Sequence, residues 1–272
     1  MKEDQVMLMV FVFFIVSIFS SLVGSICGIG GGVIIKPVLD ATGIMSVSSI
    51  SFLSGCTVLA MSIVSVYKNI RAKSARLDVK IATALAVGAA AGGVIGKMMF
   101  QSLKEAVGDE NLVGLVQAAV LIIITLGTLI YTVYKTRIQT KEYRQVWLCI
   151  VVGIILGVMS SFLGIGGGPI NLVVLAYFFS MSTKEAALSS LYIIMFSQIT
   201  SLVQTAATGG IPDVEIWYLA FMVIGGISGG TIGSKINKKI KEEDVNKLFI
   251  FLMVVIVLIN IYNVVRFGRA LF

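Results

Sequence analysis

Long apolar stretches separated by short polar loops dominate the pattern of residues along this chain. A helix needs about 20 mostly apolar residues to cross the hydrocarbon core of a bilayer, which is roughly 30 Å thick. Stretches of that kind lie at residues 6–27, 43–67, 80–100, 112–134, 146–163, 185–207, 214–234 and 247–265. Two further apolar segments, 33–39 and 169–180, are too short to cross alone. The pattern predicts an all-α, polytopic bundle of eight full or partial spans with two short helices.

The composition excludes a soluble protein. Of the 272 residues, 57% are hydrophobic and 13% are charged, and the mean hydropathy is +1.00, whereas soluble domains average about 25% charged residues. The net charge of +7 does not indicate a nucleic-acid partner, because Lys and Arg cluster in short loops between apolar stretches, as in cytoplasmic loops. We therefore predict a multi-pass protein of the cell (inner or plasma) membrane, surrounded by lipid.

An internal repeat divides the chain into two halves, 1–140 and 141–272. SLVGSICGIGGG at 21–32 matches GVMSSFLGIGGG at 157–168, and three further landmarks follow in the same order. These are Ser54 and Ser190 within apolar stretches, LDVKI at 77–81 and PDVEI at 212–216, and AGGVIG at 91–96 and SGGTIG at 228–233. Repeats of this kind are typical of secondary transporters, whose substrate site usually lies at the interface between the repeats.

The basic residues predict that the two repeats are inverted. The loop at 68–80 carries five Lys or Arg, whereas its counterpart at 204–216 carries none. The next pair is reversed, with two basic residues in 97–111 and five in 233–247. Because cytoplasmic loops carry the excess of Lys and Arg, equivalent loops with opposite bias indicate opposite orientations in the membrane.

An inverted arrangement needs an odd number of crossings in each half. It results if 6–40 and 146–180 are helical hairpins that enter and leave the membrane on one side. The termini and residues 40–46, 97–111 and 204–216 then lie outside, and residues 68–80, 135–145, 180–185 and 235–247 lie inside. Apart from Lys36, the inside segments hold 15 Lys or Arg and the outside segments 5.

The sequence GIGGG occurs at 28–32 and at 164–168, each time inside an apolar segment. Glycine in mid-helix costs roughly 1 kcal/mol relative to alanine, so each cluster predicts a broken, re-entrant helix. Free backbone N–H groups and the N-terminus of the next helix, expected at Val33 or Pro169, favour an anion there. The predicted anion contacts of these segments are Gly30, Gly31, Gly32, Val33, Gly166, Gly167 and Gly168.

Close helix packing and dinucleotide binding are the two other roles that such glycines can have. The glycines of GIGGG also permit close packing of helices, and this alternative stays open. A dinucleotide-binding loop requires a preceding strand and an acidic residue about 20 residues later, and neither context is present. Glycines at four-residue spacing are expected only to pack helices; they are Gly88, Gly92, Gly96, Gly225, Gly229 and Gly233.

The two GIGGG copies, the second within GIGGGPI, together with KEAALSSL at 184–191, resemble the TauE/SafE sulfite exporter family, also called the toluene sulfonate uptake permease family. The resemblance spans nearly the whole chain. It implies transport of small sulfur-containing anions such as sulfite, sulfonates or sulfoacetate, with other organic anions in some members. This chain departs from the family's usual pattern at Lys36, where an apolar residue is common. It also departs after GGGP, where the family often has a proline some residues later and Asn171 and Leu172 here begin an uninterrupted apolar run.

Polar residues within the apolar stretches are further candidates for anion binding. Lys36, four residues beyond a GIGGG copy, can offer an ammonium group, although snorkelling to an interface and pairing with Asp40 are alternatives. Asp40 itself is expected in an interfacial loop. Ser54, Ser190 and Gln198 can replace part of an anion's hydration, or simply bond neighbouring helices. Asp78 and Asp213 are expected to cap matched helices.

The residue types exclude most enzyme mechanisms. The chain has no histidine, no HExxH motif and no carboxylate at mid-span, so we predict no catalytic residues, no metal, no cofactor and no proton relay through acidic residues. Cys27, Cys56 and Cys149 show no pairing pattern. The chain is therefore predicted to be a transporter of small anions. A passive anion channel and a carrier of non-sulfur organic anions stay open as alternatives, and the sequence leaves direction, coupling and oligomeric state undetermined.

Overall fold

The protein is all-α in the computed structural model, which describes residues 3–72, 75 and 77–271. The described chain forms ten α-helices and one 3₁₀ turn, Lys135–Arg137. The helices are α1 (Glu3–Cys27), α2 (Gly32–Thr42), α3 (Val47–Arg71), α4 (Val79–Val107), α5 (Glu110–Tyr134), α6 (Val146–Phe162), α7 (Pro169–Phe179), α8 (Thr183–Ala207), α9 (Ile216–Lys239) and α10 (Glu242–Leu271). Each half contributes five helices, and in both halves the second has 11 residues and the third has 25.

Seven of the described helices are long and apolar enough to cross a membrane, namely α1, α3, α4, α5, α8, α9 and α10. The eighth predicted stretch, 146–163, is shorter than a full span. Its helix α6 has 17 residues and rises about 25 Å, against a hydrocarbon core of roughly 30 Å. The two short helices α2 and α7 rise only about 16 Å each, so neither crosses alone, as predicted.

One predicted helix cap is confirmed, whereas a second cap and one loop boundary need correction. Asp78 caps α4 as predicted, because its side chain accepts a hydrogen bond from the N–H of Ile81. Asp213 does not cap α9, because residues 210–215 stay outside the helix, which begins at Ile216. Residues 97–107 belong to α4 rather than to an external loop, because the helix meets no stop signal before Gly108, which ends it in the left-handed conformation.

Glycines bring two pairs of helices into backbone contact. α4 packs along α6, and α1 packs along α9. A Cβ atom at Gly88 would lie 2.1 Å from the carbonyl oxygen of Ile150, and one at Gly229 would lie 2.3 Å from that of Ile18. The predicted packing role of these glycines is therefore confirmed. Within each pair the two helices run parallel to each other, because glycines that follow one another along one helix contact successive turns of its partner in the same order.

The loops gather at two ends of the bundle. At one end, which we call the basic end, the loops after α3, α5 and α7 and the start of α10 lie together. At the other, which we call the opposite end, the loops after α2, α4 and α8 and the end of α10 lie together. The first group carries most of the basic loop residues, and the sequence therefore predicts that it is cytoplasmic. Lys73 and Arg76, two basic residues of the first group, lie outside the described residues.

The third helices of the two halves, α3 and α8, pack in opposite directions. Gly55 in the first half of α3 lies against Gln198 and Leu202 in the second half of α8. Val66, near the end of α3, shares an apolar cluster with Leu188, near the start of α8. Where they cross, the two helices flank both glycine segments, so these segments lie at the centre of the bundle.

Candidate functional site

The two GIGGG segments contact each other. A Cβ atom at Gly30 would lie 3.4 Å from the carbonyl oxygen of Gly166, and one at Gly32 would lie only 2.0 Å from that of Ile165. Left-handed φ angles of 77° at Gly30 and 130° at Gly167 explain why these positions hold glycine. Residues 28–33 and 165–169 are buried. At this contact the two halves therefore meet through their backbones.

Each glycine segment leads into a short helix whose N-terminus lies at this contact. α2 begins at Gly32, one residue before the predicted Val33, and α7 begins at the predicted Pro169. No side chain caps either terminus. The positive ends of two helix dipoles therefore point into the region where the halves meet.

Three serine hydroxyls beside the glycine segments have no hydrogen-bond partner. Ser54 Oγ is fully buried and lies 2.9 Å from a Cβ position at Gly32. Ser51 Oγ lies 2.5 Å from that of Gly164, and Ser21 Oγ lies 3.1 Å from that of Gly31. A buried hydroxyl without a partner costs about 1–3 kcal/mol, so each of these three hydroxyls is available to a polar ligand.

Asn171 joins the site although the sequence analysis did not select it. It is 2% exposed, its Nδ2 donates to Ser190 Oγ at 3.3 Å, and its Oδ1 has no partner. Ser190 thus contacts α7 three residues beyond the second glycine segment, and it already accepts a hydrogen bond. The signal for Asn171 was its place as the one amide in the otherwise apolar helix PINLVVLAYFF.

Gln198 contacts the second glycine segment from α8. Its Cδ lies 3.3 Å from a Cβ position at Gly166, and its Oε1 lies 2.9 Å from that of Gly55. The side chain is 4% exposed. Of the predicted polar candidates, Ser54 of α3 and Gln198 of α8 therefore contact the glycine segments, whereas Ser190 contacts Asn171 of α7.

Lys36 points towards the second glycine segment but is bound by a carboxylate. Its Nζ lies 2.8 Å from Asp40 Oδ2 one helical turn along α2, and both side chains are buried. Its Cε lies 3.4 Å from a Cβ position at Gly164. Of the two alternatives for Lys36, pairing with Asp40 is therefore confirmed and snorkelling is wrong. The expectation that Asp40 lies in a loop is also wrong, because α2 extends to Thr42. Packing against α10, where Arg266 donates to the carbonyl of Asp40, keeps this turn helical.

A cavity of about 350 Å³ leads from the basic end to the first glycine segment. It passes between α5, α7, α8 and α10, from the exposed Thr140 and Glu242 to the buried Cys27, which directly precedes Gly28. We call it the basic-end vestibule. At the opposite end, a cavity of about 290 Å³ stops at Asp40 and Arg266.

A much smaller cavity, of about 20 Å³, touches the second glycine segment from the opposite end. Ser51, Gly164 and Gln198 line it, and so does Lys97 of α4. Lys97 was not among the predicted candidates, because it falls where the apolar stretch 80–100 overlaps the predicted external segment 97–111. Only the continuation of α4 to Val107 brings this ammonium group towards the glycine contact.

All three cysteines are free thiols, and the described residues contain no group of three or more acidic, histidine or cysteine side chains suited to a metal ion. Where the structure describes the chain, the central region thus holds backbone amides, hydroxyls, amides and lysines. This donor-rich composition suits an anion.

Comparisons with known proteins identify the family of this chain. The family model for "Sulfite exporter TauE/SafE" matches residues 13–259. The protein called "Probable membrane transporter protein YunE" from Bacillus subtilis (strain 168) is 23% identical over 271 residues, covering 89% of this chain and 93% of that protein. No solved structure matches the chain. With the match extending over nearly its whole length, the chain belongs to the TauE/SafE sulfite exporter family of multi-pass membrane transporters.

Proposed function

We propose that this protein carries a small sulfur-containing oxyanion, of the sulfite, sulfonate or sulfoacetate type, and binds it between the two glycine segments. The observation that carries the proposal is the contact of Gly30 with Gly166 beneath the unpartnered hydroxyls of Ser51 and Ser54. An oxyanion of sulfur presents several acceptor oxygens at once, and converging N–H and O–H donors satisfy them from different sides.

The donors at this site are mostly uncharged. Neutral hydroxyls and amides compensate an anion's lost hydration less strongly than fixed cations do, so the bound anion can leave again. In this proposal Gly31, Gly32, Val33, Gly167 and Gly168 supply backbone contacts. Ser54, Ser190 and Gln198 supply side-chain donors.

Lys36 has a different role in this proposal from the one first predicted. Its ammonium is held by Asp40 at 2.8 Å, so much of its charge is compensated before an anion arrives. We assign it to holding the end of α2 in place beside Gly164, rather than to direct contact with the substrate.

We also propose that the halves 1–140 and 141–272 are repeats of inverted topology. The support is the opposite direction of the equivalent helices α3 and α8 where they pack. The reciprocal pairing of α1 with α9 and of α4 with α6 adds to it, because it is the pattern expected when a two-fold axis exchanges the halves. Such an axis in the membrane plane is common among secondary transporters.

Single-cysteine labelling in a cysteine-free background tests this topology. Cysteines introduced at residues 75 and 240 should react with an impermeant reagent from the cytoplasmic side, and one at residue 210 should react from the outside. Residues 75 and 210 lie in equivalent loops of the two halves. If both label from the same side, the halves are parallel.

The two ends of the bundle favour a carrier over an open channel. The basic-end vestibule reaches Cys27, whereas the cavity touching the second glycine segment holds only about 20 Å³, roughly the space of one water molecule. A carrier exposes its site to one side at a time. In this conformation, access to the glycine contact is wider from the basic end.

Proteoliposomes loaded with labelled sulfite, a sulfonate, a carboxylate or chloride test the proposal directly. Saturable flux of the sulfur oxyanions is expected. Ser54→Ala should weaken their apparent affinity about 2- to 10-fold through the loss of one hydrogen bond. Without anion, this variant should unfold at the same or a higher temperature than the parent, because it removes an unpartnered buried hydroxyl.

Ser62→Ala is the matched control, because Ser62 lies on the same helix and its hydroxyl donates to the carbonyl of Val58 at 2.7 Å. It should leave anion affinity unchanged. Saturable flux of carboxylates alone would replace the sulfur substrate by an organic anion. Flux that rises without saturation would indicate a passive channel, and absence of flux for every anion would contradict the proposal.

A further inference from the structure

Equivalent polar positions of the two halves differ at one residue. In the first half and its partner α9, Ser25, Ser65 and Ser234 form a buried cluster, with Oγ–Oγ distances from Ser25 of 2.9 Å to Ser65 and 3.1 Å to Ser234. The repeat places Ser161, Ser201 and Lys97 at the corresponding positions. A lysine thus replaces a serine on the side of the second glycine segment.

Hydroxyl and amide side chains lie beside Lys97 together with two apolar ones. The cavity of about 20 Å³ that it lines is also lined by Ser51, Ser161, Gln198, Ser201 and Thr205, and by Phe52, Gly55, Gly164 and Leu202. No acidic residue lines this cavity in the part of the chain that the structure describes. Hydroxyl and amide groups beside an ammonium, without a carboxylate, form a donor set for an anion.

Ser51 gives a second, independent indication of a ligand here. Its side chain is 7% exposed, its Oγ has no hydrogen-bond partner, and this oxygen lies 2.5 Å from a Cβ position at Gly164. The hydroxyl therefore sits at the boundary between the Lys97 cavity and the second glycine segment. A ligand oxygen in the cavity would satisfy it.

The charge of Lys97 is also less compensated than the charges of Lys36 and Lys104. Lys36 is paired with Asp40 at 2.8 Å, and Lys104 with Glu110 at 2.7 Å. Among the described side chains Lys97 forms no such ion pair, and its nearest recorded partner is the ring of Phe100, whose centroid lies 5.0 Å from Nζ. A half-buried ammonium with only an aromatic partner can exchange it for an anion.

We propose that Lys97, Ser51 and Gln198 form an anion-binding site at the opposite-end approach to the second glycine segment. The inference rests on the proposed function and names the residues that receive the oxyanion on that side. The cavity is too small for the anion as it stands, so the site is completed when α3 and α8 separate around Gly55 and Gln198. Lys97 then supplies the positive charge that the glycine contact lacks.

Lys97→Met tests this site, because methionine keeps the unbranched stem and removes the charge. Sulfite binding to the purified protein, measured by calorimetry, should weaken about 10- to 100-fold with the loss of a charge-assisted hydrogen bond. The thermal unfolding midpoint without anion should stay close to that of the parent. Lys104→Met, two turns further along α4, removes the same charge from the same end and should change sulfite affinity less than twofold.

Chemical rescue separates charge from packing. In a background without Cys27, Cys56 and Cys149, Lys97→Cys should bind sulfite weakly. A reagent that attaches an aminoethyl group should restore binding, whereas one that attaches a sulfonatoethyl group should abolish it. Equal sulfite affinity of parent and Lys97→Met would overturn this site, while the effect of Ser54→Ala would still support the proposed function. No binding of any tested anion by the parent would overturn both.

Discussion

The two short helices α2 and α7 occupy equivalent places in the repeat but carry different chemistry. Lys36 and Asp40 of α2 correspond to Leu172 and Ala176 of α7. Leu172 and Ala176 line the basic-end vestibule, which extends to Cys27. Asp40 instead ends the cavity at the opposite end, where Arg266 binds its carbonyl.

The difference shows how two helices at equivalent positions of a repeat can border cavities that extend to different depths. Uncharged side chains along α7 line the basic-end vestibule, whereas the charged pair along α2 packs against α10 and the cavity at the opposite end stops at Asp40. Burying such an ion pair costs desolvation free energy, but removing only one partner destabilises the protein strongly, because it leaves an uncompensated buried charge. We therefore interpret Lys36–Asp40 as the contact that closes the opposite end in this conformation.

The largest effect on stability is expected when only one partner of the Lys36–Asp40 ion pair is removed. Asp40→Ala leaves the ammonium of Lys36 buried without a counter-charge and should lower the free energy of unfolding by about 3–5 kcal/mol. The double variant Lys36→Met with Asp40→Ala removes both charges and should recover most of this loss. Denaturant titration of the four proteins in one detergent measures the coupling. Additive effects of the two substitutions would show that the pair does not close this end.

A smaller effect is expected from the serine positions that the repeat makes equivalent. Ser25 bonds Ser65 and Ser234 at 2.9 and 3.1 Å, whereas the corresponding Ser161 reaches Ser197 only at 3.5 Å. Ser25→Ala should therefore destabilise the protein by about 0.5–1.5 kcal/mol, and Ser161→Ala by less.

Thermal unfolding of the two variants side by side measures this difference. Ser62→Ala serves as a reference, because its hydroxyl bonds only within its own helix. Equal losses for Ser25→Ala and Ser161→Ala would mean that the two halves are equally tight here, and the comparison would lose its basis.

Much of the candidate site was visible in the sequence because its signals are local. Clustered glycines are unfavourable in any helix, so GIGGG marked the ends of α1 and α6 without knowledge of their neighbours. Pro169 marked the first residue of α7, because proline lacks the N–H that has no partner at that position of a helix. That Lys36 meets a carboxylate, whereas Lys97 meets the ring of Phe100, was not visible, because it depends on which side chains surround each ammonium in the fold.

The sequence by itself determined the all-α membrane architecture, the repeat and the loops that collect basic residues, since apolar length and loop charge are properties of single segments. Only the tertiary structure decided that Gly30 meets Gly166, that Asn171 bonds Ser190 and that Lys97 reaches Gly164's surroundings. These contacts join helices far apart in the chain. Their geometry follows from how α3, α4 and α8 pack around the two glycine segments, and no periodicity within one helix encodes it.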